Sequence, residues 1–218
     1  MINIVFLGPQ GAGKGTQAEK LSELLEIPTV SVGKLFRAEI ERETGLGRAI
    51  AKYVEAGERV PPDMTDQIIG ERLSEEDTAD GVIMDGYPRT QDQIAQLDKV
   101  FAAAGRKVTH VLYLTVPDDV SVRRLAGRRV CSNLKCEENY HVDFNPPKKD
   151  PDYCDKCGSP LIQRSGDTVD AIKKRLELYH RDTEPIVDYY RRQGLLHEID
   201  GNRPIDVIEK DIKEIFSA

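Results

Sequence analysis

The chain has 218 residues, with 31 Lys and Arg against 38 Asp and Glu, a formal charge of −7. That length suits one domain, or one domain carrying insertions, with enough chain to bury a sizeable core. A content of 39% hydrophobic and 32% charged residues excludes a disordered or collagen-like protein, the acidic excess argues against non-specific nucleic-acid binding, and apolar runs as short as Ile4–Leu7 and Val111–Leu114 exclude a membrane span.

The opening MINIVFLGPQ has no basic n-region, so no secretory signal is expected and a cytoplasmic location is the default. Ile2–Leu7 is apolar and β-branched and reads as a strand; Gly8–Gly15 is a glycine-rich turn. Thr16–Leu25 carries Ala18, Leu21, Leu24 and Leu25 at helical spacing. Thr29–Ser31 reads as a second strand, and residues 31–60 hold two short helical patterns, one at Lys34–Glu43, with no strand between them. A helix is predicted over Asp63–Ser74, a strand over Val82–Asp85 and a helix over Gln91–Ala104. A strand over Val111–Val116 and a helix over Asp118–Leu125 follow. Residues 127–167 contain every cysteine, the run NPPKKDP and few periodic apolar residues. The long helical pattern Thr168–Gln193 has a stripe of Val169, Ile172, Leu176 and Tyr179, and Pro185 should kink it. A strand at Leu195–Ile199 and a helix at Pro204–Phe216 complete the chain. Short apolar strands alternating with helices imply a parallel sheet covered on both faces, with 31–60 and 127–167 as insertions.

GPQGAGKGT at Gly8–Thr16 follows a strand and opens a helix. Glycines let successive backbone N–H groups turn inward around phosphate oxygens, the helix N-terminus adds partial positive charge, and Lys14 supplies a point charge. Gly15 follows the lysine where most such loops place Ser or Thr, and Thr16 comes one position later. Asp85 ends an apolar strand, as does the carboxylate that holds the metal or its water shell in proteins with this loop. Phosphoryl chemistry also calls for arginines. Arg124 and Arg128 are four apart, one helix face, while Arg37, Arg89, Arg164 and Arg175 each abut one of these segments. His110, His141, His180 and His197 show no ligand spacing, His141 being a marginal metal candidate. No general base is evident. An acceptor that is itself a phosphate needs none, since its oxygen is already ionised.

Cys131, Cys136, Cys154 and Cys157 read C-x4-C, 17 residues, C-x2-C. In a chain without an export signal this spacing favours a closed structural metal site over free thiols or two disulfides. A zinc-ribbon nucleic-acid module is the alternative for this segment.

Taken together, GPQGAGKGTQ at 8–17, SVGKLFR at 31–37, DGYPRTQDQ at 85–93, LAGRRVC at 125–131, YHVDFNPPK at 140–148, RSGD at 164–167, KKRL at 173–176 and DGNRP at 200–204 span nearly the whole chain. In these motifs the chain resembles adenylate kinases, specifically bacterial- or archaeal-type enzymes with a long zinc-containing lid. The resemblance implies an α/β fold: a P-loop NTPase-type five-stranded parallel sheet with helices on both faces. It implies a core of residues 1–30, 61–126 and 168–218, an NMP-binding insertion at 31–60 and a zinc-binding lid at 127–167. It implies Mg-ATP + AMP = 2 ADP, with Mg²⁺ accompanying ATP and a structural Zn²⁺ on the four cysteines. ATP and AMP are then the partners, with no nucleic acid, no membrane and a monomer favoured.

On the same resemblance Gly11, Ala12, Gly13, Lys14, Gly15 and Thr16 wrap the ATP phosphates. Arg124 stacks on the ATP base, Arg128 holds its phosphates, Asn139 and Tyr140 line the lid side, and Arg203, or its backbone, lies beside the adenine. Arg37, Arg89, Arg164 and Arg175 clamp the acceptor and transferring phosphates, and Asp85 orders Mg²⁺ through water. Val32, Glu58, Arg59, Val60, Gly86, Tyr87, Pro88 and Gln93 complete the AMP pocket. The catalytic set is Lys14, Asp85, Arg89, Arg128, Arg164 and Arg175. Three positions depart from the family pattern: Val32 where Thr is usual, Gly166 in place of the first acid of an Asp-Asp pair, and C-x4-C for the commoner C-x2-C. The Val32 departure suggests relaxed acceptor selectivity. The competing readings are a kinase of another monophosphate, a GTP-using donor variant, and a P-loop ATPase bearing a zinc-ribbon module.

Overall fold

In the computed structural model of the chain every residue is described except 56, 57, 59, 134, 137 and 218, together with all side chains but those of Glu55 and Ser165. The expected site residue Arg59 lies outside the described residues. The first strand, β1 (Ile2–Leu7), sets the plan, because both of its faces are apolar. Ile4 and Phe6 point one way and Val5 and Leu7 the other, as a strand's two-residue period demands. A strand buried on both faces belongs in the middle of a sheet. β1 lies there, between β3 (Gly81–Asp85) and β4 (His110–Thr115), in the order β2-β3-β1-β4-β8, with β2 at Thr29–Ser31 and β8 at Leu196–Asp200. Every pairing in this sheet is parallel.

Helices cover both faces. Ile4, Phe6, Ile83, Leu112, Leu114 and Ile199 pack against α1 (Lys14–Leu25) and α9 (Ile205–Phe216). On the other face Val5, Leu7, Val82, Met84 and Val111 meet α4 (Pro62–Leu73), α5 (Gln91–Ala103) and α8 (Pro185–Arg192). The two short helices expected between residues 31 and 60 are α2 (Val32–Glu41) and α3 (Gly45–Glu55), with Ile50, Val60 and Ile68 as their own small core.

β4 leads into α6 (Asp118–Ala126), and the segment that follows holds structure the sequence pattern did not reveal. β5 (Arg128–Cys131), β6 (Asn139–His141) and β7 (Leu161–Ile162) form an antiparallel sheet in the order β6-β5-β7. The long C-terminal helical pattern divides into α7 (Val169–Leu178) and α8, separated by a wide turn over Tyr179–Thr183. The break expected at Pro185 thus falls in the turn before it, where the proline ring crowds the backbone and its missing N–H leaves a carbonyl to be re-satisfied.

Candidate active site

The sheet order reverses at β1: the chain moves to β3 on one side and β4 on the other. In open parallel sheets ligands lodge beyond the strand ends at such a point. The loop leaving β1 there is the glycine loop. A Cβ at Gly8 would lie 2.2 Å from the Leu114 carbonyl oxygen, and Gly8 has φ +136°, so only glycine lets the loop cross β4. Gly13, at φ 95°, precedes the first turn of α1 in a left-handed conformation. This starts the helix at Lys14, two residues before the expected Thr16, and leaves the amides of its first turn without intrahelical partners.

Lys14 turns back over the loop. Its Nζ donates to the carbonyls of Gly8 and Pro9, both at 2.7 Å. Loss of hydration pushes its pKa down to about 8; the Asp85 carboxylate resists this, while Arg89 and Arg175 add to it. Three cationic side chains from the loop, the turn after β3 and α7 therefore share one electrostatic neighbourhood. Lys14 and Arg89 line a single cleft with Gly8, Gln10, Gly86, Pro88, Tyr179 and Thr183. Asp85 closes β3 and accepts a hydrogen bond from Ser31 Oγ at 3.3 Å. A Cβ on Gly15 would sit 3.9 Å from Asp85 Oδ2, so the carboxylate lies against the loop. Asp85 and the exposed Thr16 hydroxyl are hard oxygen donors of the kind Mg²⁺ takes.

The turn after β3 is built around a cis Tyr87–Pro88 bond. Arg89 Nε donates to the Gly86 carbonyl at 2.8 Å, and Gln93 Oε1 accepts from the Arg89 backbone N–H at 2.7 Å. A Cβ on Gly86 would come within 3.0 Å of the Arg89 guanidinium. Tyr87 is buried, its hydroxyl 3.1 Å from Asp66. Val32 and Val60 are buried too, whereas Glu58 is exposed. Arg37 Nη1 would lie 3.4 Å from a Cβ on Gly33, at the start of α2.

Arg124 Nη1 donates to the carbonyls of Gly11 (3.2 Å) and Gly201 (2.9 Å), joining the glycine loop to the turn after β8. Burial lowers its pKa. Ala12 is buried in that loop. Arg203 pairs with Asp211 and Asp200 beside the same turn. Arg128 grips Asp167 with two parallel bonds, Nε to Oδ2 at 2.8 Å and Nη2 to Oδ1 at 2.7 Å. Arg175 reaches the same carboxylate at 3.6 Å and the Gly166 carbonyl at 3.0 Å. Asp167 is 1% exposed. One buried acid thus holds both arginines, a pairing across 39 residues that sequence reading did not anticipate. Arg164 sits half-buried at the start of the short turn Ser165–Asp167.

The lid sheet sorts its residues by face. Arg128 opposes His141 and Val130 opposes Asn139, while Arg129 opposes Tyr140. Cross-strand partners share a face and neighbours alternate. Asn139 therefore lies on the Arg128 face, and Tyr140 lies on the other, with Cys131. The Tyr140 side chain turns to the cysteines: its hydroxyl is 3.5 Å from Cys154 Sγ and accepts the Asp155 N–H at 2.9 Å. The four cysteine sulfurs lie within 4.8 Å of one another, with Cys131–Cys157 at 3.4 Å and Cys136–Cys154 at 3.7 Å. A tetrahedral zinc at ~2.3 Å from each sulfur needs sulfurs roughly 3.8 Å apart, so the cluster has the right size. All four cysteines are free. Burial drives the Cys131 thiol up to about 12, while hydrogen bonds from Ser159 draw Cys157 down to about 6. A bound divalent cation would stabilise all four as thiolates.

His141 is spent elsewhere. Its Nδ1 accepts from the Asp143 and Phe144 N–H groups at 3.0 and 3.2 Å, and Nε2 faces the Arg123 carbonyl at 3.3 Å. It seals the junction of α6 and the lid sheet, where a Cβ on Gly127 would strike the ring at 2.3 Å.

A parallel sheet with a glycine loop and lysine at its reversal point, ringed by arginines, defines a P-loop nucleotide-binding protein. Comparison with known proteins narrows this. A family model for adenylate kinase matches residues 6–195. The chain is 43% identical over 213 residues to the adenylate kinase of Caldanaerobacter subterraneus, covering 98% of this chain and 95% of that one. It is 43% identical over 216 residues to that of Methanosarcina acetivorans, covering 99% of each. Against that of Streptomyces coelicolor it is 44% identical over 209 residues, covering 96% and 95%. The chain belongs to the adenylate kinase family, within the nucleoside monophosphate kinases. No helix among the described residues is long and apolar enough to cross a membrane.

Proposed function

We propose that this protein is an adenylate kinase of the cytoplasm, catalysing the reversible transfer Mg-ATP + AMP = 2 ADP. The observation that carries the reading is the convergence of Lys14 and Arg89 on one cleft, where Lys14 is held partly dehydrated and feels the charge of Arg175 as well. Such a cluster is costly alone and matches the tail-to-tail phosphates of two nucleotides.

In this reading the amides of Gly11–Thr16 and Lys14 hold the donor phosphates, and Arg128 closes on them from the lid with Asn139. Arg124 and Arg203 flank the donor base. Arg37, Arg89, Arg164 and Arg175 hold the acceptor phosphate and the group in flight, while Val32, Glu58, Arg59, Val60, Gly86, Tyr87, Pro88 and Gln93 enclose the acceptor base. Mg²⁺, arriving with ATP, neutralises charge on the phosphates, and Asp85 with Thr16 would hold it or its waters. The acceptor oxygen is already anionic, so no side chain takes a proton; catalysis is alignment plus charge stabilisation. Residues 31–60 act as the acceptor arm and 127–167 as a lid that excludes water, without which ATP would be hydrolysed. Cys131, Cys136, Cys154 and Cys157 hold a structural Zn²⁺, and the protein works as a monomer, without nucleic acid.

Val32 favours a second, broader reading of the acceptor. It is 5% exposed and its side chain offers no hydroxyl to the acceptor base, so other monophosphates are tolerated, while the Gln93 amide, able to pair with the adenine edge, keeps AMP the best acceptor. Coupled assays of AMP, CMP, UMP and GMP with ATP or GTP, scoring diphosphate against free phosphate, test both readings. Diphosphate formed fastest from AMP, with measurable turnover of the others, is expected. Free phosphate without a diphosphate product points instead to an ATPase, and activity confined to AMP refutes the tolerance.

A further inference from the structure

Pro185 has no N–H, and its ring crowds the carbonyl four residues back, so the helix that starts at Val169 cannot pass through it in α register. The chain widens instead over Tyr179–Thr183, where the Glu184 N–H donates to the Tyr179 carbonyl five residues back at 2.9 Å. Both ends of this wide turn, Tyr179 and Thr183, line the cleft with Lys14, Gly86, Pro88 and Arg89. Tyr179 is tied to the sheet through its hydroxyl, which donates to Tyr113 at 3.2 Å. Thr183 reaches further.

A threonine inside a helix ordinarily donates to the carbonyl four residues before it. For Thr183 that is the Tyr179 carbonyl, which already takes the Glu184 N–H. Thr183 Oγ1 donates instead to the Arg89 carbonyl at 3.0 Å, 94 residues away in the chain. Thr183 is 7% exposed, so this hydroxyl has little water to fall back on. Among the bonds that hold the Arg89 residue are its N–H to Gln93 Oε1, its Nε to the Gly86 carbonyl and its carbonyl to Thr183. The first two are local. The third comes from the helical unit that also carries Arg175, two turns upstream.

We propose that Thr183 is a positioning residue for phosphoryl transfer: its hydroxyl sets the Arg89 peptide and thereby registers Arg89 against Arg175 and Lys14. This rests on the reading above that Arg89 holds the phosphates. It explains why a helix interrupted by a proline and a wide turn forms one wall of the cleft. A regular helix would turn Thr183 by about 100° per residue shifted, off that wall.

The test uses the full chain with its metal. Thr183→Val removes the hydroxyl and keeps the shape; Thr183→Ser restores it. Thr183→Val is expected to lower kcat ~3- to 10-fold, the range one neutral hydrogen bond supplies, with the ATP KM unchanged. Thr183→Ser is expected within about twofold of the parent, below what the loss of one such bond produces. In an Arg89→Lys background the Thr183→Val step should lose most of its effect, since the two side chains act as a unit. Thr183→Ala gives the same comparison if Thr183→Val does not fold. Unchanged kcat in Thr183→Val alongside an impaired Arg89→Lys overturns the inference alone, as does Thr183→Ser matching Thr183→Val, or multiplicative losses in the double variant. Full activity of Arg89→Lys overturns the phosphate role of Arg89, and the role of Thr183 with it.

Discussion

Replacing Asp167 with Asn keeps the shape of the side chain and removes the one charge that Arg128 and Arg175 share. Breaking a buried ion pair from one side costs about 3–5 kcal/mol, because the partner is left charged and unpaired. Here the partners are not fully buried: the side chains of Arg128 and Arg175 are 25% and 36% exposed, against 1% for Asp167. Water can take up part of the loss, which brings the figure to roughly 2–3 kcal/mol. For a chain of this size each kcal/mol moves Tm by about 2–4 °C, so a fall of about 4–12 °C is expected by differential scanning calorimetry. The two guanidiniums also repel each other once the acid between them is neutral. Saturating ATP, or a mimic joining both nucleotides, supplies anionic oxygens to the same groups, so the gap between parent and variant should narrow when either is bound. A Tm within about a degree of the parent, well below the fall calculated above, refutes the account of Asp167 as the shared counter-ion. A gap that does not narrow with nucleotide refutes the assignment of Arg128 and Arg175 to phosphate.

Lys14→Ala should cost about 10²–10³ in kcat, as for other lost transition-state charge partners, with an unchanged far-UV circular dichroism spectrum; near-normal kcat contradicts the phosphate site. Free Lys14 titrates at about 8 and bound phosphates raise that value. ATP affinity should therefore be full below this pH and fall as pH rises through it, with proton uptake visible by calorimetry in buffers of different ionisation enthalpy; a flat profile argues against Lys14 as a ligand. His180 lies between Glu184 (2.8 Å) and Asp118 (3.1 Å), and those acids raise its pKa from 6.5. Its contribution is present below 6.5 and lost as pH rises through the raised value, so His180→Gln should lower Tm more at pH 5.5 than at pH 8.5; equal shifts refute the pairing. Cys154→Ala should release the metal, measured by elemental analysis, and lower Tm; unchanged metal content removes Cys154 from the site.

The central sheet was readable because β1, β3 and β4 are apolar on both faces and its helices carry stripes, both consequences of burial. The glycine loop was readable because positive φ at Gly11 and Gly13 restricts which residues fit. The lid sheet was not, since strands of four, three and two residues carry too little apolar period to register. They are held by backbone ladders and by the cysteines. The face taken by the Tyr140 side chain was not readable either, because it depends on the register that sets Arg129 opposite. The Asp167 clamp and the Thr183 bond join residues 39 and 94 positions apart, and no local pattern announces such a contact.

β5 is a single extended segment with Arg128 at one end and Cys131 at the other. Their backbones stand only roughly 10 Å apart, three residues of strand. No hinge or slack chain intervenes, so the sulfur knuckle is the foundation on which the arginine is mounted. With zinc on the cysteines and nucleotide on Arg128, as proposed above, starvation for zinc would be felt first as a loosened hold on nucleotide, before the parallel sheet gave way.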